Sequence, residues 1–66
     1  MAALVYNGKT IRNMDNVDLQ LWIHENFGGW DIENEWTMST GCQVIELCKW
    51  DKGVCKRETL YWWDFS

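Results

Sequence analysis

Residues 30–38 alternate between two kinds of side chain, and this alternation limits the fold more than any other part of the sequence. One parity holds Trp30, Ile32, Asn34, Trp36 and Met38, and the other holds Asp31, Glu33, Glu35 and Thr37. Successive side chains of a β-strand point to opposite faces of the sheet. We therefore predict a strand here, with the first parity buried in the core and the second presenting carboxylates to solvent.

The dipeptide Asn7-Gly8 predicts a β-hairpin at the N-terminus. It lies between the apolar segment 3–6 and the segment 9–12. Both central residues of a type I′ turn need positive φ, which Asn and Gly tolerate. We therefore expect a short hairpin that ends near residue 12.

The second half of the chain predicts an antiparallel meander. Residues 39–41 are a turn signal, and residues 51–53 are a hairpin signal between strands over residues 42–49 and 54–63. A tight Lys52-Gly53 turn sets one register, whereas a three-residue loop would exchange the faces on one strand. With the tight turn, one face holds Ile45, Leu47, Leu60 and Trp62, and the other holds Val44, Tyr61 and Trp63.

One helix is predicted over residues 16–27. Asn13 and Asp15 are candidate N-caps, and Gly28-Gly29 supplies a C-terminal stop. The apolar residues at core-facing helical spacing are Leu19, Ile23 and Phe27, with Trp22 alongside. A second apolar strip, Val17 and Leu21, lies about 120–160° away around the helix axis. The helix is therefore either covered on both sides or leaves this strip for a partner.

Together these elements predict an α+β fold. It consists of a short N-terminal β-hairpin, one α-helix and a three-stranded antiparallel meander packed on the helix. The length of 66 residues fits one small domain, residues 1–66, and a chain this short buries a smaller fraction of its surface than a larger domain does. Six tryptophans supply large apolar side chains that can complete such a core or anchor an interface.

Charge is distributed unevenly along the chain. The net charge is −4, yet residues 13–48 hold seven carboxylates and no Lys or Arg, while four of the six basic residues fall within residues 49–57. We expect an acidic side and a smaller basic corner. The acidic side would repel duplex nucleic acid, so we expect no direct binding to a duplex.

The first-ranked candidate site is the row of carboxylates Asp31, Glu33 and Glu35. Alternate residues of a strand lie about 6.6 Å apart and project in one direction, which makes a regular line of negative charge. Such a line suits contact with a basic, nucleic-acid-binding cleft, although it is also typical of a solvated sheet face. Asp18 and Glu25 on the helix would extend this surface, and Trp36 or Trp30 would contribute to it if strand pairing leaves either ring exposed.

We expect no catalytic activity, no cofactor and no metal. Acid–base catalysis needs a concave, partly desolvated site that separates two carboxyl pKa values, and a convex acidic strand offers none. A zinc site would need Cys42, Cys48, Cys55 and His24, but the cysteine spacings match no zinc knuckle. We interpret the cysteines as reduced thiols that pack as small hydrophobic side chains.

The apolar runs are far shorter than the roughly 20 residues that span a bilayer. The N-terminus also lacks the basic and apolar regions of a signal peptide. We therefore expect a cytoplasmic protein, in the host cytoplasm if it is viral, with no membrane partner.

In size, acidity and aromatic density the chain is similar to small phage proteins that inhibit host nucleic-acid enzymes, such as uracil-DNA glycosylase inhibitors and anti-CRISPR proteins. The similarity covers these general properties and no residue-level motif. It implies a DNA-mimicking inhibitor from a phage or mobile element. Its partner would be a host nucleic-acid-binding enzyme or complex, blocked by stoichiometric protein contact.

Two other functions remain open at this point. An oligomerising adaptor or accessory subunit would dock through the C-terminal strand, where Tyr61, Trp62 and Trp63 place rings on both faces and favour a homodimer. A single-stranded nucleic-acid binder would stack bases on aromatic rings beside cations. The residues for that second function are Lys49, Trp50, Lys52, Lys56 and Arg57, with Trp62 and Trp63.

Overall fold

The computed structural model describes residues 2–64 and contains one helix and five strands. The elements in chain order are β1 (Ala2–Tyr6), β2 (Lys9–Arg12), α1 (Asn16–Asn26), β3 (Asp31–Thr37), β4 (Gln43–Asp51) and β5 (Val54–Asp64). The strands form a single antiparallel sheet in the order β2-β1-β5-β4-β3. The predicted α+β class is confirmed, and the predicted hairpin and meander share one sheet because β1 pairs with β5.

Both predicted hairpin turns are two-residue turns. Asn7 and Gly8 have φ of 52° and 76°, and Lys52 and Gly53 have φ of 52° and 79°. Positive φ at both central residues is the type I′ requirement. The tight Lys52-Gly53 turn pairs Asp51 with Val54 and thereby fixes the β4–β5 register that was predicted for it.

Helix α1 begins at the second of the two candidate caps. The carboxylate of Asp15 accepts a hydrogen bond of 2.8 Å from the backbone N–H of Asp18, which satisfies a donor that the first turn leaves free. The helix ends at Asn26, and Phe27 is its C-cap. Gly29 follows with φ of 88°, as expected for the predicted glycine stop.

The core lies between α1 and one face of the sheet. Its sheet side consists of the residues predicted to share a face, Ile45, Leu47, Leu60 and Trp62, together with Leu4, and all of them are buried. From the other side Leu19 and Phe27 close the core, and Met14 joins it from the loop before the helix. The opposite face of the sheet, which we call the open face, is not covered by the helix.

Aromatic rings extend the core at one end of the helix. The ring of Phe27 makes edge contacts with Tyr6 and Trp30, at centroid distances of 5.4 and 5.2 Å. Trp22 also lies against Phe27 and Tyr6, at 5.7 Å from each. Contacts of this geometry add to the stabilisation that burial of the rings provides.

The predicted burial of one face of the strand over residues 30–38 is wrong beyond Trp30, and the predicted faces are exchanged from Asn34 onward. Trp30 packs against the core, but every residue of β3 is exposed, including Ile32 and Trp36. Two facts explain this. Strand β3 lies at the edge of the sheet, and a β-bulge between Ile32 and Asn34 inserts an extra residue. An inserted residue exchanges the faces of all side chains beyond it.

Candidate functional site

Strand β3 and its carboxylates form what we call the acidic edge. Asp31 pairs with Cys48 and Trp36 pairs with Val44, so both side chains point to the open face. Glu35 pairs with Ile45, a core residue, and therefore points to the helix side. The predicted single row of carboxylates is wrong because the bulge at Glu33 divides it. The carboxylates of this edge strand instead point to both faces of the sheet.

The bulge residue Glu33 carries an ion pair that the sequence did not predict. Its Oε1 lies 3.1 Å from Nη2 of Arg57 on β5, a residue that is paired with Cys48 and therefore on the open face. The sequence placed Arg57 in the basic corner. Only the pairing of β4 with both β3 and β5 brings the two side chains together, so a pattern local to either strand could not have shown it.

Glu35 is held by neutral partners. The amide nitrogen of Gln43 donates a hydrogen bond to its carboxylate, and the side-chain oxygen of Asn34 accepts one of 2.9 Å from its backbone N–H. Gln43 pairs with Thr37 on the same face as Glu35. The Gln43 contact orients the carboxylate, and neither contact compensates its charge with an ion pair among residues 2–64.

The remaining residues of the predicted acidic surface lie on the helix. Asp18 and Glu25 are exposed, and α1 covers the face of the sheet opposite to Asp31, Glu33 and Trp36. The six predicted residues therefore do not share one face. The helix carboxylates are on the same side of the sheet as Glu35 alone, and the exposed Val17 and Leu21 accompany them.

The three C-terminal aromatic residues are divided between the two faces of the sheet. Trp62 is a core residue whose indole N–H donates a hydrogen bond of 2.8 Å to the carbonyl of Met14. Tyr61 and Trp63 stack on the open face, with centroids 6.5 Å apart and an interplanar angle of 25°. Tyr61 and Trp63 can therefore belong to the predicted interface, whereas Trp62 is buried in the core.

Trp36 joins this pair across the sheet. Val44 is the cross-strand partner of both Trp36 and Tyr61, and it is only 1% exposed although no helix covers the open face. Val44 lies between the strand positions of these two aromatic residues. We call Trp36, Tyr61 and Trp63 the aromatic patch, and its continuity could be inferred from sequence only after the registers of β3, β4 and β5 were known.

The basic hairpin at the β4–β5 turn is partly neutralised. Lys56 forms an ion pair of 3.0 Å with Asp51, and Arg57 is engaged by Glu33. Trp50 is 71% exposed at this end of the sheet, far from the core position of Trp62. The set of aromatic rings predicted for stacking bases is therefore not assembled on one surface.

The cysteines are three free thiols. Burial raises the pKa of Cys42, whose thiol donates to the carbonyl of Gln43. Desolvation, and then the charge of Glu33, raise the pKa of Cys48. A raised thiol pKa lowers the thiolate fraction that nucleophilic chemistry needs. Within residues 2–64, no group of three or more His, Cys, Asp or Glu side chains is arranged to hold a metal.

No family model, no curated protein and no solved structure matches this chain. In the part of the chain that the structure describes, no helix has the length and apolar character needed to cross a membrane.

Proposed function

We propose that this chain is a small acidic binding protein, of phage or mobile-element origin, that blocks a host nucleic-acid-binding enzyme by stoichiometric contact and has no catalytic activity of its own. The observation that supports this most directly is the acidic edge. All seven residues of β3 are exposed, and its carboxylates project on both sides of the sheet.

The acidic edge suits a basic partner for an electrostatic reason. Asp31 and Glu35 have no ion-pair partner within residues 2–64, so their charge is available to a cationic surface. Complementary charge raises the association rate and is screened by salt. Trp36, which is 41% exposed beside these carboxylates, would supply the apolar anchor that interface hot spots need.

The general likeness to phage inhibitors of nucleic-acid enzymes agrees with this proposal. A protein that occupies a nucleic-acid site needs negative charge on a convex, accessible element, and an exposed edge strand is such an element. The Glu33–Arg57 ion pair orients the open-face carboxylate. The Gln43 hydrogen bond does the same for the Glu35 carboxylate on the other side.

A second candidate function is an oligomerising adaptor that docks through the aromatic patch. Trp36, Tyr61 and Trp63 lie together on the open face, and Tyr61 is 37% exposed. Aromatic side chains are enriched at interface hot spots. In this function the patch would carry the binding energy, in a homodimer or on another protein, and the carboxylates would matter little.

The test is an affinity capture from bacterial lysate with three baits. The first is the wild-type protein, the second is Asp31→Asn with Glu35→Gln, and the third is Gln20→Lys with Thr40→Lys. The last two raise the net charge equally, but Gln20 and Thr40 are exposed neutral residues outside the acidic edge. Each captured enzyme is then titrated with the bait, and its activity is measured at low and high salt.

We expect the wild-type protein and the Gln20→Lys, Thr40→Lys variant to capture the same nucleic-acid enzyme. Both should inhibit it at one-to-one stoichiometry. The Asp31, Glu35 variant should lose it, and the affinity should fall with salt. Equal capture by all three baits would refute the acidic mechanism. If Trp36→Ala with Tyr61→Ala then abolished capture, the adaptor function would take its place.

A further inference from the structure

The outer edge of β3 is the feature that carries a further inference. In the sheet order β2-β1-β5-β4-β3, this strand has one neighbour, so the backbone groups on its outer side form no ladder with any of residues 2–64. Unpaired N–H and C=O groups on a sheet edge are a template for another strand. At seven residues, β3 is the longer of the two edge strands, since β2 has four.

The side chains along this edge alternate in chemistry on both faces. On the open face, the carboxylate of Asp31 and the indole of Trp36 lie near the two ends of the strand. On the helix side, the apolar Ile32 and the acidic Glu35 lie closer together, within its middle part. Ile32 is 52% exposed, so both apolar side chains are accessible to a neighbouring strand.

A second copy of this chain is a poor occupant of the acidic edge through the same strand. Antiparallel pairing of two β3 strands would bring their carboxylates close together, and like charges opposite each other are destabilising. An occupant with lysine or arginine at the acidic positions has the complementary charge. This argument selects a basic, extended segment of another protein.

We propose that the acidic edge binds an extended basic segment of its partner by strand addition, as a sixth, antiparallel strand of the sheet. The segment places a basic residue opposite Asp31 and another opposite Glu35, and apolar residues opposite Ile32 and Trp36. Main-chain hydrogen bonds supply the affinity and the side-chain order supplies the specificity. This inference rests on the proposed function, because it names the element of the partner that the acidic edge contacts.

One local contact has to give way during this addition. The side-chain oxygen of Asn34 accepts a hydrogen bond from the N–H of Glu35, at 2.9 Å. An incoming backbone carbonyl that takes this donor replaces the side-chain acceptor with a main-chain one, so no donor is left unsatisfied. The exposed position of Asn34 lets its side chain turn to solvent.

The test uses labelled synthetic peptides and fluorescence anisotropy with the full chain. The first peptide has the order Thr-Val-Lys-Thr-Val-Lys-Thr. When it runs antiparallel to β3 and leaves the bulge residue Glu33 without a partner, as β4 does, its lysines lie opposite Glu35 and Asp31. The second has the same sequence with backbone N-methyl groups on the first lysine and the second valine, the residues that lie opposite Glu35 and Ile32 and whose N–H groups point towards β3. The third has the same composition, with each Val-Lys pair reversed. All three carry the same charge, so plain electrostatic attraction binds them equally.

We expect the first peptide to bind at low salt and N-methylation to weaken it about tenfold or more, since each lost main-chain hydrogen bond contributes about 0.5–1.5 kcal/mol. The reversed order should bind more weakly than the first peptide. The Asp31→Asn, Glu35→Gln variant should lose the preference for the first order, while the Gln20→Lys, Thr40→Lys variant keeps it.

Equal affinity for all three peptides, or no binding of any, would overturn strand addition. Either result is distinguishable from failure of the proposed function, which the enzyme capture measures separately. If the captured enzyme is still lost on changing Asp31 and Glu35, the acidic edge binds a folded basic surface by charge. If the Asp31→Asn, Glu35→Gln variant binds the peptides and captures the enzyme as the wild type does, both proposals are refuted.

Discussion

The guanidinium of Arg57 lies 3.1 Å from the carboxylate of Glu33 and joins β5 to the edge strand β3 across β4. The contact is made on the open face, where Cys48 is the cross-strand neighbour of Arg57. Because both side chains remain well exposed, this ion pair orients Glu33 more than it stabilises the fold.

Replacing Arg57 with Gln is expected to separate these two effects. The free energy of unfolding should fall by no more than about 1 kcal/mol, the usual range for exposed ion pairs. The association rate with the basic peptide described above should rise, because Glu33 becomes an additional uncompensated charge. Urea unfolding and stopped-flow anisotropy measure the two quantities. Slower association would show that the orientation of Glu33 matters more than its charge.

Stability is expected to decrease at alkaline pH. Burial raises the pKa of Cys42 above the ordinary value of 9.0, and burial followed by Glu58 raises that of Tyr6 above 10.0. A group whose pKa is higher in the folded state stabilises the fold fully below its unfolded pKa, and this contribution is lost as pH rises toward the folded pKa. The urea midpoint should therefore be constant near neutral pH and fall above about pH 9.

The control for this effect is Cys42→Ala. Removing the most buried thiol should leave a shallower decrease of the urea midpoint between neutral and alkaline pH, since Tyr6 and Cys48 still contribute. The variant is compared with wild type at each pH rather than at one, because loss of the buried side chain lowers the midpoint at all pH values. An identical slope in both proteins would contradict the assignment to Cys42.

Trp62 and Trp63 are adjacent in sequence but are expected to respond very differently to substitution by Phe. Trp62→Phe removes the indole N–H that satisfies the carbonyl of the buried Met14. Leaving a buried acceptor unsatisfied costs about 1–3 kcal/mol, and the smaller ring adds a cavity. Trp63→Phe keeps an aromatic ring against Tyr61 on the open face and should cost less than about 1 kcal/mol.

Urea unfolding of the two Trp→Phe variants side by side is a direct check of which face the helix covers. Equal losses would mean that Trp62 is not a core residue. A larger loss for Trp63 would reverse the assignment of the two faces of β5.

The sequence predicted the hairpins and the β4–β5 register because these depend on local backbone chemistry. Asn7-Gly8 and Lys52-Gly53 adopt the positive φ that type I′ turns require. The turn at Lys52 then determines every pair along the two strands up to Gln43 and Trp62. Once the register was set, the alternation of apolar residues was sufficient to select the buried face.

The acidic edge could not be predicted in the same way. Strict alternation over residues 30–38 gives no sign of the bulge, because a bulge is a property of the pairing of β3 with β4. Periodicity also does not distinguish a central strand from an edge strand, and only the sheet order leaves Ile32 exposed. The Glu33–Arg57 contact depends on both facts and was likewise beyond the sequence pattern.

The two apolar strips of α1 give the last prediction. Leu19 is 1% exposed in the core, whereas Leu21 is 55% exposed and Val17 is 67% exposed on the outer surface. Leu19→Ala should lower the free energy of unfolding by about 2–5 kcal/mol, the cost of removing a buried leucine side chain. Leu21→Ala should change it by about 0.5 kcal/mol or less, the range for surface substitutions.

Both variants replace the same residue type on one helix, so helix propensity contributes equally to each and cancels in the comparison. Denaturant unfolding of the two variants measures the difference directly. Leu21→Ala also tests whether the outer strip binds the partner, since it should leave the fold intact. If it weakens capture of the enzyme while Asp31→Asn with Glu35→Gln does not, the binding surface lies on the helix, with Asp18 and Glu25 as its charged residues, and the acidic edge is a solvated strand.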